Sequence, residues 1–254
     1  MERKKPIFEV EEFKAYQESE GFYVIENTPK KFEGKSVSIY LIEGKEKALV
    51  IDTGFPSDGF KEFITKLTNK PLILCLTHGH VDHAGNIYDF DEIYMNESDK
   101  FLIPNYKGQI HNVRQGYKFE IGERFVEVYE FQGHTPGSIG LFDSKEHYLF
   151  TGDAIGSGEV WMHITTLPLE SILSVTKFIH QLREEITRIY VGHLLSPVGL
   201  DYVDKVENIV NKIVKGEEYE SEKYDPPFPV ECEPYFVRED GVSVIFNPRK
   251  IHYI

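Results

Sequence analysis

Apolar residues in this chain fall into short runs divided by turn-forming residues, and the spacing within the runs changes along its length. Residues 22–25, 37–42 and 48–51 are apolar stretches separated by Gly- and Lys-rich segments, a pattern that predicts three β-strands in a meander. After Asp52-Thr53-Gly54, the residues Phe60, Phe63, Ile64 and Leu67 recur at helical spacing and predict an amphipathic helix within 57–67. The unbroken apolar run 71–76 predicts a central buried strand in which Cys75 packs as a small apolar residue.

Further on, 92–95 reads as a short strand, 97–102 as a short helix, and 118–131 as two strands around Gly122. Residues 139–142 and 147–150 predict a hairpin turning at 143–146. A long helix over 168–183, a strand at 189–191 and a helix over 201–214 follow. The acidic segment 216–229 ends in Pro226-Pro227-Phe228-Pro229 and reads as an irregular arm, and 235–238 with 242–246 predict a terminal hairpin. No fixed-period repeat is present. The order of elements predicts an α/β fold of two similar halves, each a sheet covered by helices. Residues 1–215 would form one domain, with 216–254 an arm and hairpin packed on it.

Composition narrows the class. A chain of 254 residues is long enough for a large core. Its formal net charge of −14 argues against a nucleic-acid partner, because phosphate binding needs a basic face. The early cluster Arg3-Lys4-Lys5 is followed by no apolar stretch long enough for a signal peptide or a membrane span, so the expectation is a cytoplasmic protein with no membrane partner. Cys75 and Cys232 are too far apart in sequence to form a CxxC metal pair, and a disulfide is not expected in a reducing compartment.

Candidate chemistry concentrates in Thr77-His78-Gly79-His80-Val81-Asp82-His83-Ala84-Gly85-Asn86. Imidazole and carboxylate are the ligands that zinc and iron accept, and this spacing lets the local backbone bring three of one and one of the other together. His78 and His80 can point one way from an extended loop while Asp82 and His83 turn another, which suggests two metals. Three later fragments repeat the arrangement of apolar strand, small turn and ligand, presenting His134, Asp153 and His193. Any one of these alone reads as a loop residue or a cap. The seven in this order read as a metal centre.

The HxHxDH motif at 78–83, with the later His134, Asp153 and His193, resembles the metallo-β-lactamase superfamily, and the resemblance runs from about Val37 to Val198. It implies an αββα four-layer sandwich with the metals at one edge between the sheets. It further implies His78, His80 and His134 on one metal, Asp82, His83 and His193 on the other, and Asp153 bridging them. Asp52 matches an early Asp of the family that orients a ligand from behind. The implied cofactors are two divalent cations, zinc first, with iron or manganese as alternatives.

Two adjacent cations activate a bridging water to hydroxide, so the expected reaction is hydrolysis, with Asp82 and Asp153 as the catalytic carboxylates. No Gly-x-Ser-x-Gly elbow is present. Diiron oxygen reductases of this fold resemble HxExDH instead, and His80 stands where they carry a carboxylate. The segments Gly133-His134-Thr135-Pro136-Gly137-Ser138 and Thr151-Gly152-Asp153 are similar to the glyoxalase II-like branch, which implies a small ester, thioester or lactone as substrate. The acidic tail differs from the basic helical domain with which glyoxalase II grips glutathione. A phosphodiesterase or β-lactamase activity, a ligand-sensing role without catalysis and a diiron redox role are the alternatives. Substrate contacts are expected from Trp161 and His163 in the glycine-rich stretch after Asp153, from Phe55, and from the irregular segment 106–114. The sequence leaves self-association open.

Overall fold

The computed structural model describes residues 5–32 and 34–253, so Arg3 and Lys4 of the basic cluster lie outside it. Eight strands form the first sheet in sequence order: β1 (Phe8–Val10), β2 (Phe13–Ser19), β3 (Phe22–Asn27), β4 (Val37–Glu43), β5 (Ala48–Ile51), β6 (Leu72–Cys75), β7 (Glu92–Met95) and β8 (Gln109–Asn112). The predicted meander is its antiparallel half, extended outward by β1 and β2, and from β5 onward the strands pair in parallel. The second sheet comprises β9 (Lys118–Glu120), β10 (Phe125–Glu130), β11 (Ile139–Asp143), β12 (Tyr148–Phe150) and β14 (Arg188–Tyr190), in the order 14-12-11-10-9.

Three apolar layers hold these sheets in a four-layer αββα sandwich. Helix α1 (Phe60–Leu67) buries Phe60, Phe63 and Ile64 on the outer face of the first sheet, against Ile25, Ile39 and Leu74. Between the sheets, Tyr40, Leu49, Ile51 and Cys75 meet Val126, Leu141 and Phe150, as alternating side chains of two stacked sheets must. On the far side, α2 (Ser171–Gln181) and α3 (Leu200–Lys215) cover the second sheet through Val175, Ile179 and Val203. The buried Arg124–Asp143 ion pair, two parallel contacts of 2.6 Å, also binds the Glu43 carbonyl and so ties the second sheet to the end of β4.

Three features depart from the expectation. Segment 106–114 is not irregular throughout: residues 109–112 are the edge strand β8, where His111 stacks on Tyr94 and pairs with Glu92, and Tyr106 is held by the Phe90 carbonyl. The glycine-rich stretch after Asp153 is not simply a loop, because Glu159–Met162 forms β13. The molecule also has a third sheet, in which β13 pairs in parallel with β17 (Val242–Phe246), followed by β16 (Tyr235–Glu239) and β15 (Glu222–Lys223). Valines 160, 237 and 244 of this sheet pack on Val206, Ile209 and Ile213 of α3. The terminal hairpin therefore shares its hydrogen bonds with a strand from between Asp153 and α2. A continuous apolar run announces a strand but not its partner, and β17 lies about eighty residues beyond β13. Cys75 and Cys232 are free, and among the described residues no helix is long and apolar enough to cross a membrane.

Candidate metal centre

The chain emerges at the carboxyl ends of five strands to build one site. Asp52 follows β5, the 78–83 motif follows β6, and His134, Asp153 and His193 follow β10, β12 and β14. That edge of a sandwich is where loops from both sheets converge. All seven predicted ligands meet there in two groups: His78, His80 and His134, and Asp82, His83, Asp153 and His193. Within each group one ligand atom per residue lies within 4.8 Å of the others.

In the first group, His80 Nδ1 and His134 Nε2 are 2.9 Å apart. Their outer nitrogens are engaged elsewhere, His80 Nε2 with Thr165 Oγ1 at 2.8 Å and His134 Nδ1 as donor to the Trp161 carbonyl at 2.8 Å. In the second, Asp153 Oδ2 lies 3.1 Å from His193 Nε2, 3.5 Å from His83 Nε2 and 3.8 Å from His134 Nε2, so one carboxylate oxygen faces both groups. Asp82 Oδ2 is 3.5 Å from His193 Nε2, and His193 Nδ1 donates to the Ser36 carbonyl at 2.7 Å.

This donor set fits metal ions on the chain's own terms. Two ligand atoms each about 2 Å from a shared tetrahedral cation sit roughly 3.3 Å apart, close to the separations here. The buried His78 Nε2, His83 Nε2 and Asp153 Oδ1 have no hydrogen-bond partner, an arrangement that costs about 1–3 kcal/mol per atom unless a ligand takes it up. Gly192 is required by the same crowding: a Cβ there would collide with Asp153 Oδ1 and His83 Cε1.

Protonation follows from burial and neighbours. Burial, then the neighbouring imidazoles, holds His78 well below the usual imidazole range, and burial followed by His134 brings His80 down to about 3. Both keep lone pairs for a metal at neutral pH. For His193 burial works against the charge, but the Asp153 and Asp82 carboxylates outweigh it and lift the group to about 9. Burial likewise opposes the Asp153 charge, yet His193 and His83 push that carboxyl well below its ordinary value.

Behind the ligands lie residues that fix their aim. Asp52 Oδ1 accepts the Thr77 backbone N–H at 2.7 Å, and Oδ2 accepts Thr77 Oγ1–H and His83 Nδ1–H, each at 2.8 Å. Since Thr77 spends its proton on Asp52, it must accept one from His78 Nδ1 at 3.1 Å. One carboxylate thus sets the tautomer of a ligand in each group. Asp99 carries no signal in the sequence: it accepts from Gly79 N–H, Gly137 N–H and Thr135 Oγ1 at 3.0, 2.6 and 2.6 Å, and so binds the first motif's loop to the His134 loop. No spacing rule points from a carboxylate in the 3₁₀ turn Glu97–Leu102 to either loop, and only the fold brings them together.

The pocket candidates separate. Phe55 is buried and stacked on Phe32 at 4.6 Å, its backbone held by Asn27 and Asn86. Trp161 and His163 lie on or beside β13 with ring centres 5.3 Å apart, next to the carbonyl that anchors His134.

Comparison with known proteins agrees with this geometry. The sequence profile of the metallo-beta-lactamase superfamily matches residues 33–193. Acyl-coenzyme A thioesterase MBLAC2 of Homo sapiens is 25% identical over 205 residues, 64% of this chain and 72% of that protein. Hydroxyacylglutathione hydrolase GloC of Haemophilus influenzae is 27% identical over 139 residues, 46% of this chain and 66% of that protein. The structure of a metallo-beta-lactamase from Pontibacter korlensis superposes with a TM-score of 0.66 at 20% identity, covering 78% of this chain and 98% of the other.

Proposed function

The chain belongs to the metallo-β-lactamase superfamily, and from that premise we propose that it is a hydrolase holding two divalent cations, zinc first, and cleaving a small thioester. The observation that carries this reading is the position of Asp153 Oδ2, within 3.8 Å of ligand nitrogens from both groups, which suits a shared ligand between two cations. Two relatives whose names describe thioester hydrolysis favour that bond over an oxygen ester or lactone.

When bound, the two cations would supply acidified water and a polarising charge for the substrate carbonyl. The chain supplies the rest. His78 and His80, kept neutral by burial, would hold one cation together with His134, while Asp82, His83 and His193 would hold the other. His78 and His83, both buried, close the inner side of the site to solvent. Asp82, about one quarter exposed, would present its carboxylate at the mouth and orient water by accepting its hydrogen bond. No side-chain nucleophile is needed.

The test is metal analysis of the purified full chain, followed by hydrolysis of thioesters, oxygen esters, lactones, phosphodiesters and β-lactams. Two equivalents of metal and preferential turnover of thioesters are expected. Two metals without turnover of any class would refute the enzyme reading, and an Asp82→Ala variant with full activity would refute the site.

A further inference from the structure

Beside the first candidate ligand group the structure assembles an aromatic cluster from two distant parts of the chain. Trp161 and His163 come from β13 and its end, while Tyr224 and Phe228 come from the acidic arm. The Trp161 ring lies 6.1 Å from Tyr224 and 5.9 Å from Phe228, and the His163 ring 5.6 Å from Tyr224. The arm is fastened here by β15, which pairs with β16, and by the Tyr224 N–H to the Pro234 carbonyl. Phe228 remains 41% exposed at the outer rim.

His163 makes this more than a packing cluster. The residue is only 7% exposed, yet neither ring nitrogen has a hydrogen-bond partner. A core position of that kind favours an apolar residue, because burying an imidazole with both nitrogens idle costs free energy that a phenyl ring would not. The neutral ring offers one donor and one acceptor beside apolar walls, the usual composition of a small-molecule subsite. The cluster adjoins the candidate metal centre, since the Trp161 carbonyl itself holds His134 at 2.8 Å.

We propose that Trp161, His163, Tyr224 and Phe228 form the subsite for the acyl group of the substrate, the aromatic rings packing on its apolar chain, His163 donating a hydrogen bond to its carbonyl oxygen and the C-terminal arm serving as the outer wall. The inference rests on the thioesterase reading for the identity of the acyl group, not for the existence of the subsite. It makes the arm a determinant of specificity.

Two independent readouts test it on the zinc-loaded full chain. Trp161 is the sole tryptophan, so its fluorescence reports this subsite directly. Phenylacetate and hexanoate, the carboxylates released from apolar thioesters, should change that fluorescence saturably, while acetate should not. The Tyr224→Ala/Phe228→Ala double variant should bind them about tenfold more weakly, and His163→Phe should weaken them similarly while keeping or raising the melting temperature. In parallel, kcat/KM on N-acetylcysteamine thioesters should rise at least about tenfold from acetyl to phenylacetyl in the parent chain, with the gradient lost in both variants mainly through KM. If no thioester is turned over but the fluorescence responses hold, the subsite stands and the thioesterase reading falls. If no carboxylate changes the fluorescence, or if His163→Phe binds phenylacetate as the parent does, the subsite is refuted. If the arm variant fails to fold, the His163→Phe comparison still decides.

Discussion

Replacing Asp52 by Asn would keep the shape of the side chain and remove its charge, with consequences set by the hydrogen bonds around it. The carboxylate serves three donors: Thr77 N–H on Oδ1, and Thr77 Oγ1–H with His83 Nδ1–H on Oδ2. An amide has one accepting oxygen. Placed at Oδ2, it would leave its NH₂ pointing at the Thr77 backbone N–H across 2.7 Å, two donors with no way to adjust. Placed at Oδ1, it keeps that bond, and its NH₂ faces a hydroxyl and an imidazole, both of which can become acceptors. The second orientation wins. His83 must then carry its proton on Nε2, the atom that faces Asp153.

The Asp52→Asn protein should accordingly fold, since Asn tolerates the left-handed φ of 64° at this position as Asp does. It should lose about 10- to 100-fold in affinity for the second cation, the usual effect of removing a partner behind a ligand, or roughly 1.4–2.7 kcal/mol. Competition against a chromophoric chelator near neutral pH measures this, and nitrogen-15 spectra of labelled histidine would report the His83 proton on Nε2. Two cations bound with parental affinity and an unmoved proton would refute the relay.

The remaining expectations concern other parts of the site and fold. Asp153→Ala should abolish binding of at least one cation and lower turnover by more than about a thousandfold, the size expected for the principal charge at a metal centre; metal stoichiometry with kcat checks it, and parental values would rule out a shared ligand. Asp99→Ala leaves two buried N–H groups without an acceptor and should destabilise the fold by about 3 kcal/mol in urea unfolding, with loss of metal affinity at His134. Arg124→Met strands the buried Asp143 carboxylate and should cost about 3–5 kcal/mol in the same assay. Metal affinity should rise with pH between about 6.5 and 9: His193, lifted to about 9, holds a proton that a cation must displace, so each step upward lowers that penalty until the group is neutral. In chelator the same raised value contributes stability that is full below about 6.5 and lost as pH rises through 9. Chelator competition at several pH values and melting curves with chelator check the two halves, and pH-independent affinity would refute the first.

The candidate ligand set is legible in the sequence because each of its four segments opens two or three residues after an apolar run, where a strand ends and a loop begins. Strand-ending chemistry is local, and local patterns survive without coordinates. The hidden part is lateral. That β13 pairs with β17, that the Asp99 carboxylate reaches Gly79 and Gly137, and that Tyr224 closes on His163 are each contacts between segments at least twenty residues apart, set by packing rather than by periodicity. The Glu159–Met162 strand resembles a loop in the sequence because glycines 156 and 158 precede it, and its four residues carry too short a pattern to outweigh them.

Those lateral contacts connect the arm to the candidate metal ligands mechanically. The Trp161 carbonyl fixes His134 Nδ1, and Trp161 stands opposite Ile245 in the parallel pairing of β13 with β17, whose own partner β16 anchors β15 and the arm. A change that loosens the hairpin therefore frees the backbone that aims a first-group ligand, whereas trimming only the side chains of the arm leaves that backbone paired. The two perturbations should part in their effects. Val244→Ala, cutting the hairpin's core against α3, should weaken metal binding and stability together, by about 1 kcal/mol or more for the buried methyls removed. The Tyr224→Ala/Phe228→Ala variant should bind metal as the parent does. Equal loss of metal from both would mean that the arm acts through β13 and not as a wall of the site.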